Sequence, residues 1–136
     1  MTFLEARDVM FSVFKTVWDN LGYTAVWTDV PATPPDSETV WARAVIRHAE
    51  GGQGSLAGAY GAQRWERIGT LHIQIFAPIG DGNNAGYSAA QSVVDAYQNF
   101  KHDCLWFRSV RLNEVGSDGA FEQFNVLATF IYDDVR

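Results

Sequence analysis

Residues 64–77 read RWERIGTLHIQIFA, and they decide the fold. From position 71 the apolar side chains alternate, with Leu71, Ile73 and Ile75 set against His72, Gln74 and Phe76. Side chains along a strand point to opposite faces in turn, so this period of two predicts a strand with one face on a core. Upstream, Thr39 to Glu50 carries the same signal. Trp41, Arg43, Val45 and Arg47 share one face of it, and Val40, Ala42, Ala44 and Ile46 share the other. Between the two strands, residues 50–61 read EGGQGSLAGAYG, five glycines in twelve residues. Glycine adds the most backbone freedom, so the pair is expected to form a long β-hairpin whose tip, about residues 50–63, is flexible.

Outward from the hairpin the pattern changes period. At the start, Thr2 and Glu5 have the spacing of a capping box, and Gly22 is placed as a left-handed stop. Between them Ala6, Met10, Val13, Val17 and Leu21 recur at helical steps. Phe3, Phe11, Phe14 and Trp18 widen the stripe. So wide an arc predicts a helix that touches more than one layer. Tyr23 to Val30 is a short extended run leading into the stiff connector PATPP, residues 31–35. After the hairpin, Asn83 or Asn84 can cap a second helix with the stripe Gly86, Ala90, Val93, Tyr97 and Phe100. Its small residues would let it lie close to a sheet or to a neighbouring subunit. Two further strands, roughly Trp106 to Val115 and Glu122 to Asp133, are joined by a turn at Gly116–Gly119. The expected fold is therefore α+β, one domain over residues 1–136. Its sheet is antiparallel or mixed, of about four to five strands, with two main helices on one face.

The totals narrow the function. With 136 residues, 47% hydrophobic and 19% charged, the chain can bury a core without staples. Aromatic residues reach 14%, more apolar surface than a small monomer easily hides, and an oligomer would bury the excess. The formal charge of −6 disfavours ordinary nucleic-acid binding. The lone cysteine, Cys104, cannot form an intrachain disulfide and reads as a small core or sheet residue. The opening MTFLEARD places acid where a signal peptide carries base, and no stretch approaches the length of a membrane span. The expectation is a protein made and used in solution.

Signals for chemistry are few. His48, His72 and His102 lack second ligands at metal spacing, and no nucleophile elbow or dinucleotide fingerprint occurs. The segment Gly51-Gly52-Gln53-Gly54 lacks the Gly-Lys-Ser/Thr ending of a phosphate loop and precedes a strand, not a helix N-terminus. It reads either as a plain hairpin tip or as a segment that orders on a partner, and Leu56 and Tyr60 favour the second. Arg64, Trp65 and Arg67 flank it, and Arg43 and Arg47 share a strand face. These read as a DNA-contacting ladder or, more commonly, as cross-strand ion pairs with Glu66 and Glu38 nearby. No catalytic residue, cofactor or metal is expected.

The run from Val40 to Asn84 resembles the tail terminator family of long-tailed bacteriophages and gene transfer agents. The likeness rests on VWARAVIRHA, a loop containing QGSLAG, then RWERIGTLHIQIFAPIGDGN and the helix AGYSAAQSVVDAYQNF. The matching positions are Arg43, Gln53 with Ser55 and Leu56, Arg67 or Arg64 with Gly69, and Phe76 with Pro78 and Gly80. The loop is longer than the family's usual Gln-x-Ser-Leu-Gly. The resemblance implies a hexameric ring on the end of a finished tail tube, within a phage-like particle assembled in a host cytoplasm. Such a ring stops tube growth, offers the head connector a surface, and lets DNA pass without specific binding. On that basis Gln53, Leu56, Tyr60, Arg64, Trp65 and Arg67 are expected to face the tube protein. Phe11, Trp18, Trp41 and Arg43 are expected at the subunit interface, with the ring made through strand edges and the first helix. The competing expectations are another head–tail connector protein, or a small-ligand-binding cone fold of the nuclear-transport-factor-2 type with His72 and Gln74 in its pocket.

Overall fold

The computed structural model describes residues 1–27, 39–49, 51–53, 61–79, 84–117 and 119–135. Helix α1 spans Phe3–Leu21 and opens on the capping box: the Glu5 amide donates to Thr2 Oγ1 at 3.2 Å, and the Thr2 amide donates to Glu5 Oε2 at 3.0 Å. It closes at Gly22, whose φ of 75° is the left-handed conformation that glycine adopts without penalty. The stripe that reaches full burial is Ala6, Met10, Phe14 and Trp18, while Val13, Val17 and Leu21 are half-buried beside it. The centre of the helix face thus falls on the aromatics.

Seven strands follow: β1 (Thr24–Trp27), β2 (Trp41–His48), β3 (Gly52–Gln53), β4 (Arg64–Pro78), β5 (Lys101–His102), β6 (Leu105–Ser117) and β7 (Phe121–Val135). They form one sheet in the order β1-β2-β4-β7-β6-β5, with β3 alongside β4. Among the described residues, only β1 and β2 run parallel, and every other pair is antiparallel. The sheet is larger than the four to five strands expected: β1 falls in the extended run read from Tyr23 to Val30, but β3 and β5, of two residues each, are too short to show an alternation. Strands β2 and β4 form the expected hairpin, with Trp41 opposite Phe76 and His48 opposite Gly69. Strand β3 continues along β4 toward the tip, Gly52 facing Glu66 and Gln53 facing Trp65.

Both helices cover the same face. Helix α1 packs over β1 and β2, and α2 (Asn84–Gln98) packs over β4, β7 and β6 and against α1. Gly86, Ala89 and Ala90 set α2 close to the sheet; a Cβ at Gly86 would stand 2.2 Å from the Phe124 ring. The smallness of this helix start therefore serves packing within the chain. The hydroxyl of Tyr97 donates to the Met10 carbonyl at 2.7 Å and ties the two helices together. Beneath them lie Ala42, Ala44, Leu71, Ile73, Ile75, Phe124, Val126, Ala128, Phe130 and Tyr132, all at most 1% exposed. Cys104 sits in the turn between β5 and β6, half-buried, with Sγ 3.2 Å from the Asp133 carbonyl oxygen. Among the described residues, no helix is long and apolar enough to cross a membrane.

Candidate functional site

The residues that alternate with the core positions build the opposite face, where among the described residues no helix packs. The ladders align them in rows. One row is Trp41, Phe76, Gln123 and Gly116, and the next is Arg43, Gln74, Asn125 and Asn113. Then come Val45, His72, Leu127 and Arg111; Arg47, Thr70, Thr129 and Ser109; and Ile68, Ile131 and Trp106. These five rows hold three arginines, a histidine and no carboxylate, in a chain with sixteen acidic residues against ten basic ones.

Arg43, Val45, Arg47, His72 and Gln74 line a shallow depression of about 400 Å³ on this face. Its floor is organised. Arg43 Nε donates to Gln74 Oε1, and the guanidinium lies 5.6 Å from the Phe76 ring centre. Gln123 Nε2 donates to Asn125 Oδ1 at 2.9 Å. Arg47 and Arg111 are exposed and have no ion pair among the described residues. This arrangement can hold an anionic group, since cations converge with amide and hydroxyl donors. Nucleophilic chemistry would need an acid or base partner for His72, and none of these rows supplies one.

The outer edge of β6 is guarded. Strand β5 pairs only with Leu105 and Trp106, and the rest of that edge carries exposed Arg108, Arg111 and Glu114. Irregularities interrupt it between Phe107 and Ser109 and between Glu114 and Gly116. Charges and bulges are the devices that keep a free edge from pairing.

Of the residues expected at the tube, the four that are described gather at the hairpin end of β4. Gln53 is exposed beside Trp65, which is half-buried. Arg64 pairs with Asp133 at 3.7 Å, and Arg67 pairs with the buried Asp134 at 3.8 Å. The Arg67 guanidinium also lies 5.2 Å from the Phe3 ring centre and 5.9 Å from that of Trp65. Arg64 and Arg67 are thus ion-paired across strands, but with acids of β7 and not with the expected Glu66; Glu38 lies outside the described residues. Leu56 and Tyr60 lie outside the described residues.

The four residues expected at the subunit interface do not come together. Phe11 is half-buried on α1 against Trp27, and Arg43 lies on the open face. Two of them are corrected by their burial. Trp18 is 0% exposed, its ring stacked on Phe14 and its Nε1 donating to the Thr24 carbonyl at 2.8 Å. Trp41 is 7% exposed, with its ring 4.2 Å from that of Phe76. The wide aromatic arc of α1 reflects its contacts with the sheet and with α2, which cover Trp18, while Trp41 on the open face packs against the Phe76 and Phe121 rings. Arg111 was missed, because only the β6–β7 register brings it beside Leu127 and His72.

Burial first, and the Arg47 guanidinium second, push the His72 pKa below its ordinary value of 6.5; burial and Arg67 do the same to His48. His48 Nε2 lies 2.7 Å from the Tyr132 hydroxyl, whose own pKa burial raises to about 12. A histidine whose folded pKa is lowered binds its proton more readily when the chain is unfolded. Stability is then complete above 6.5 and falls as pH drops through 6.5 toward the lowered values. Urea midpoints are expected to decrease between about pH 7.5 and about pH 5.5. The decrease should be smaller in His72→Gln, and an unchanged slope would exclude His72 as a source.

No protein-family model matches the chain, and no curated protein matches its sequence. The class defined by the fold is an α+β domain with two helices over one face of a mixed sheet. A solved structure of this class aligns with 96% of the chain and 95% of its own, with a TM-score of 0.54. The two are 19% identical, so the likeness shows the fold alone.

Proposed function

We propose that the chain is a structural subunit of a ring of six copies that caps the head-proximal end of a phage-type tail tube. In this role it ends tube growth and presents a surface to the head connector, while DNA passes through the hole. It is an assembly protein and has no catalytic step. The sequence pattern over residues 40–84 suggests this reading, and one structural observation supports it: all but one of the exposed large apolar side chains segregate to opposite ends. Seven such residues are exposed among those described. Phe3, Leu4 and Val135 lie at the hairpin end, and Ile79, Tyr87 and Val115 lie where β4 ends and β6 meets β7. The seventh, Trp106, stands on the open sheet face opposite Ile131. Val135, opposite Arg64, and Ile79, just past Pro78, mark the two ends of the 15-residue β4, roughly 45 Å apart at about 3.3 Å per residue; the other members lie nearer, Phe3 against His48 and Tyr87 against Phe124. A subunit at a junction needs such an arrangement, with one end for the tube and one for the connector.

The test is tail length. In a strain that makes the particle, removing this chain should give headless tails of uncontrolled length in electron micrographs. Tails of ordinary length carrying heads would refute the reading. Deleting residues 54–60, which include Leu56 and Tyr60, should leave a folded protein that no longer caps tails. If that variant caps normally, the hairpin end is not the tube contact.

A further inference from the structure

The ring reading leaves open which surfaces of neighbouring subunits meet, and the docking mode argued next rests on it. We propose that the open sheet face seats a second copy of the chain, which docks through an acidic strip at one end of its helix layer.

Composition marks the sheet face as a protein-docking surface. Protein interfaces are enriched in Arg and aromatics and depleted in Lys, Asp and Glu at their core. The five rows carry Arg43, Arg47 and Arg111 with no carboxylate. Half-buried Val45, Ile68, Leu127 and Ile131 lie among them. Those apolar side chains weigh against a nucleic acid as the occupant, because a phosphate backbone gains nothing by dehydrating them. Of the described aromatic rings on this face only Trp106, at the far row, is open to stack a base, since Trp41 and Phe76 beside Arg43 are 7% and 8% exposed.

The complementary surface is on the same chain. Along the outer side of α2, Tyr87, Gln91 and Asp95 follow at helical steps, all exposed, and residues 84–98 contain no lysine or arginine. Tyr87 lies close to the Glu114 carboxylate, with Glu122 nearby. Glu114 and Glu122 flank Tyr87, the aromatic anchor, and Asp95 extends this acidic strip about two turns further along α2; none of the three carboxylates has a counter-charge in any described ion pair. Three carboxylates face outward on one side of the molecule and three guanidiniums on the other. A contact between two different surfaces is heterologous, and its repetition closes a ring when the rotation permits. The guarded edge of β6 favours this mode over strand-to-strand pairing.

Size sets the strength. Five rows about 6.8 Å apart, on four strands about 4.8 Å apart, make a face on the order of 650 Å². A stable pair buries about 800 Å² on each partner. One contact alone is therefore weak, and association should depend on concentration and weaken with salt.

The experiment is a charge swap read by analytical ultracentrifugation from micromolar to millimolar concentration. Wild type should rise in mass with concentration. Arg47→Glu/Arg111→Glu and Asp95→Arg/Glu114→Arg should each weaken association by at least ~10-fold, because like charges then meet. Circular dichroism and urea midpoints confirm that both variants fold. Mixed in equal amounts, the two variants should associate again, because each now complements the other. Association of either variant at wild-type strength, or a mixture that stays monomeric, would overturn the pairing of these faces. So would a wild type that remains a single chain throughout. Retention of duplex DNA by wild type but not by Arg47→Glu/Arg111→Glu, at physiological salt, would assign the face to a polyanion instead. Tail length in the producing strain is scored separately, so the surfaces can fail while the capping role stands, or the reverse.

Discussion

Replacing Trp18 with alanine is expected to cost about 4 kcal/mol of folding stability, toward the upper end of core truncations. Three losses add. The indole is fully buried between Phe14 and Tyr23, at ring distances of 5.4 and 5.3 Å, so its removal leaves a cavity that rigid neighbours cannot fill. Its Nε1 hydrogen bond to the Thr24 carbonyl at 2.8 Å disappears where α1 hands the chain to β1. That bond also fixes the entry of the parallel edge strand, so β1 should loosen with it. Domains of this size hold only about 5–15 kcal/mol in total, so the variant should sit close to unfolding. Trp18→Phe keeps most of the apolar area but drops the donor, and should cost about 1–2 kcal/mol. Urea titrations of both variants check this. Near-native stability in Trp18→Ala, together with lost self-association, would return Trp18 to the subunit interface and overturn its assignment to the core.

The major elements were legible because their patterns are long. Leu71, Ile73 and Ile75 alternate because each lies under the helices, and neither a helix nor an irregular loop sustains a period of two over six residues. Thr2, Glu5 and Gly22 act locally, so their roles in α1 do not depend on the rest of the fold. The short strands were not legible for the converse reason. Two residues such as Lys101 and His102 pair through backbone alone and leave no pattern in side chains. Register was equally hidden. That Asp133 and Asp134 meet Arg64 and Arg67 follows from the alignment of β4 with β7, whose paired residues here lie more than sixty positions apart. The cationic face is the same kind of feature. Sequence placed Arg43 and Arg47 together because they share a strand, but Arg111 joins them only across two further strands. Alternation reports which face a side chain takes, not which neighbour it meets. The glycine-rich tip was visible by composition, but the roles expected of Leu56 and Tyr60 fall outside the described residues.

Gly69→Ala is expected to cost about 3 kcal/mol, within the range for overpacked cores, and to lower Tm by about 10 °C. The argument is about space. Gly69 pairs with His48 on one side and with Phe130 on the other, at the middle of the sheet where β2 is ending. A Cβ there would stand 2.4 Å from Phe130 Cζ, 2.5 Å from the Arg47 carbonyl oxygen and 2.9 Å from His48 Cα. Two of those three atoms are backbone, so a rotamer change cannot relieve them, and β2 must shift away from β4. Phe130 is fully buried and its ring lies over the glycine, filling the gap the missing side chain leaves. The consequence reaches the proposed docking face. Arg47 lies next to His48 on the displaced strand, so Gly69→Ala should also weaken self-association in samples that remain folded. Phe130→Leu combined with Gly69→Ala separates the two sources of strain. The pair should be more stable than the sum of the single costs by about 1 kcal/mol, because the ring contact is relieved while the backbone contact remains. If Gly69→Ala alone is within about 0.5 kcal/mol of wild type, the strands are not held as closely as described. The glycine would then serve chain flexibility and not close approach.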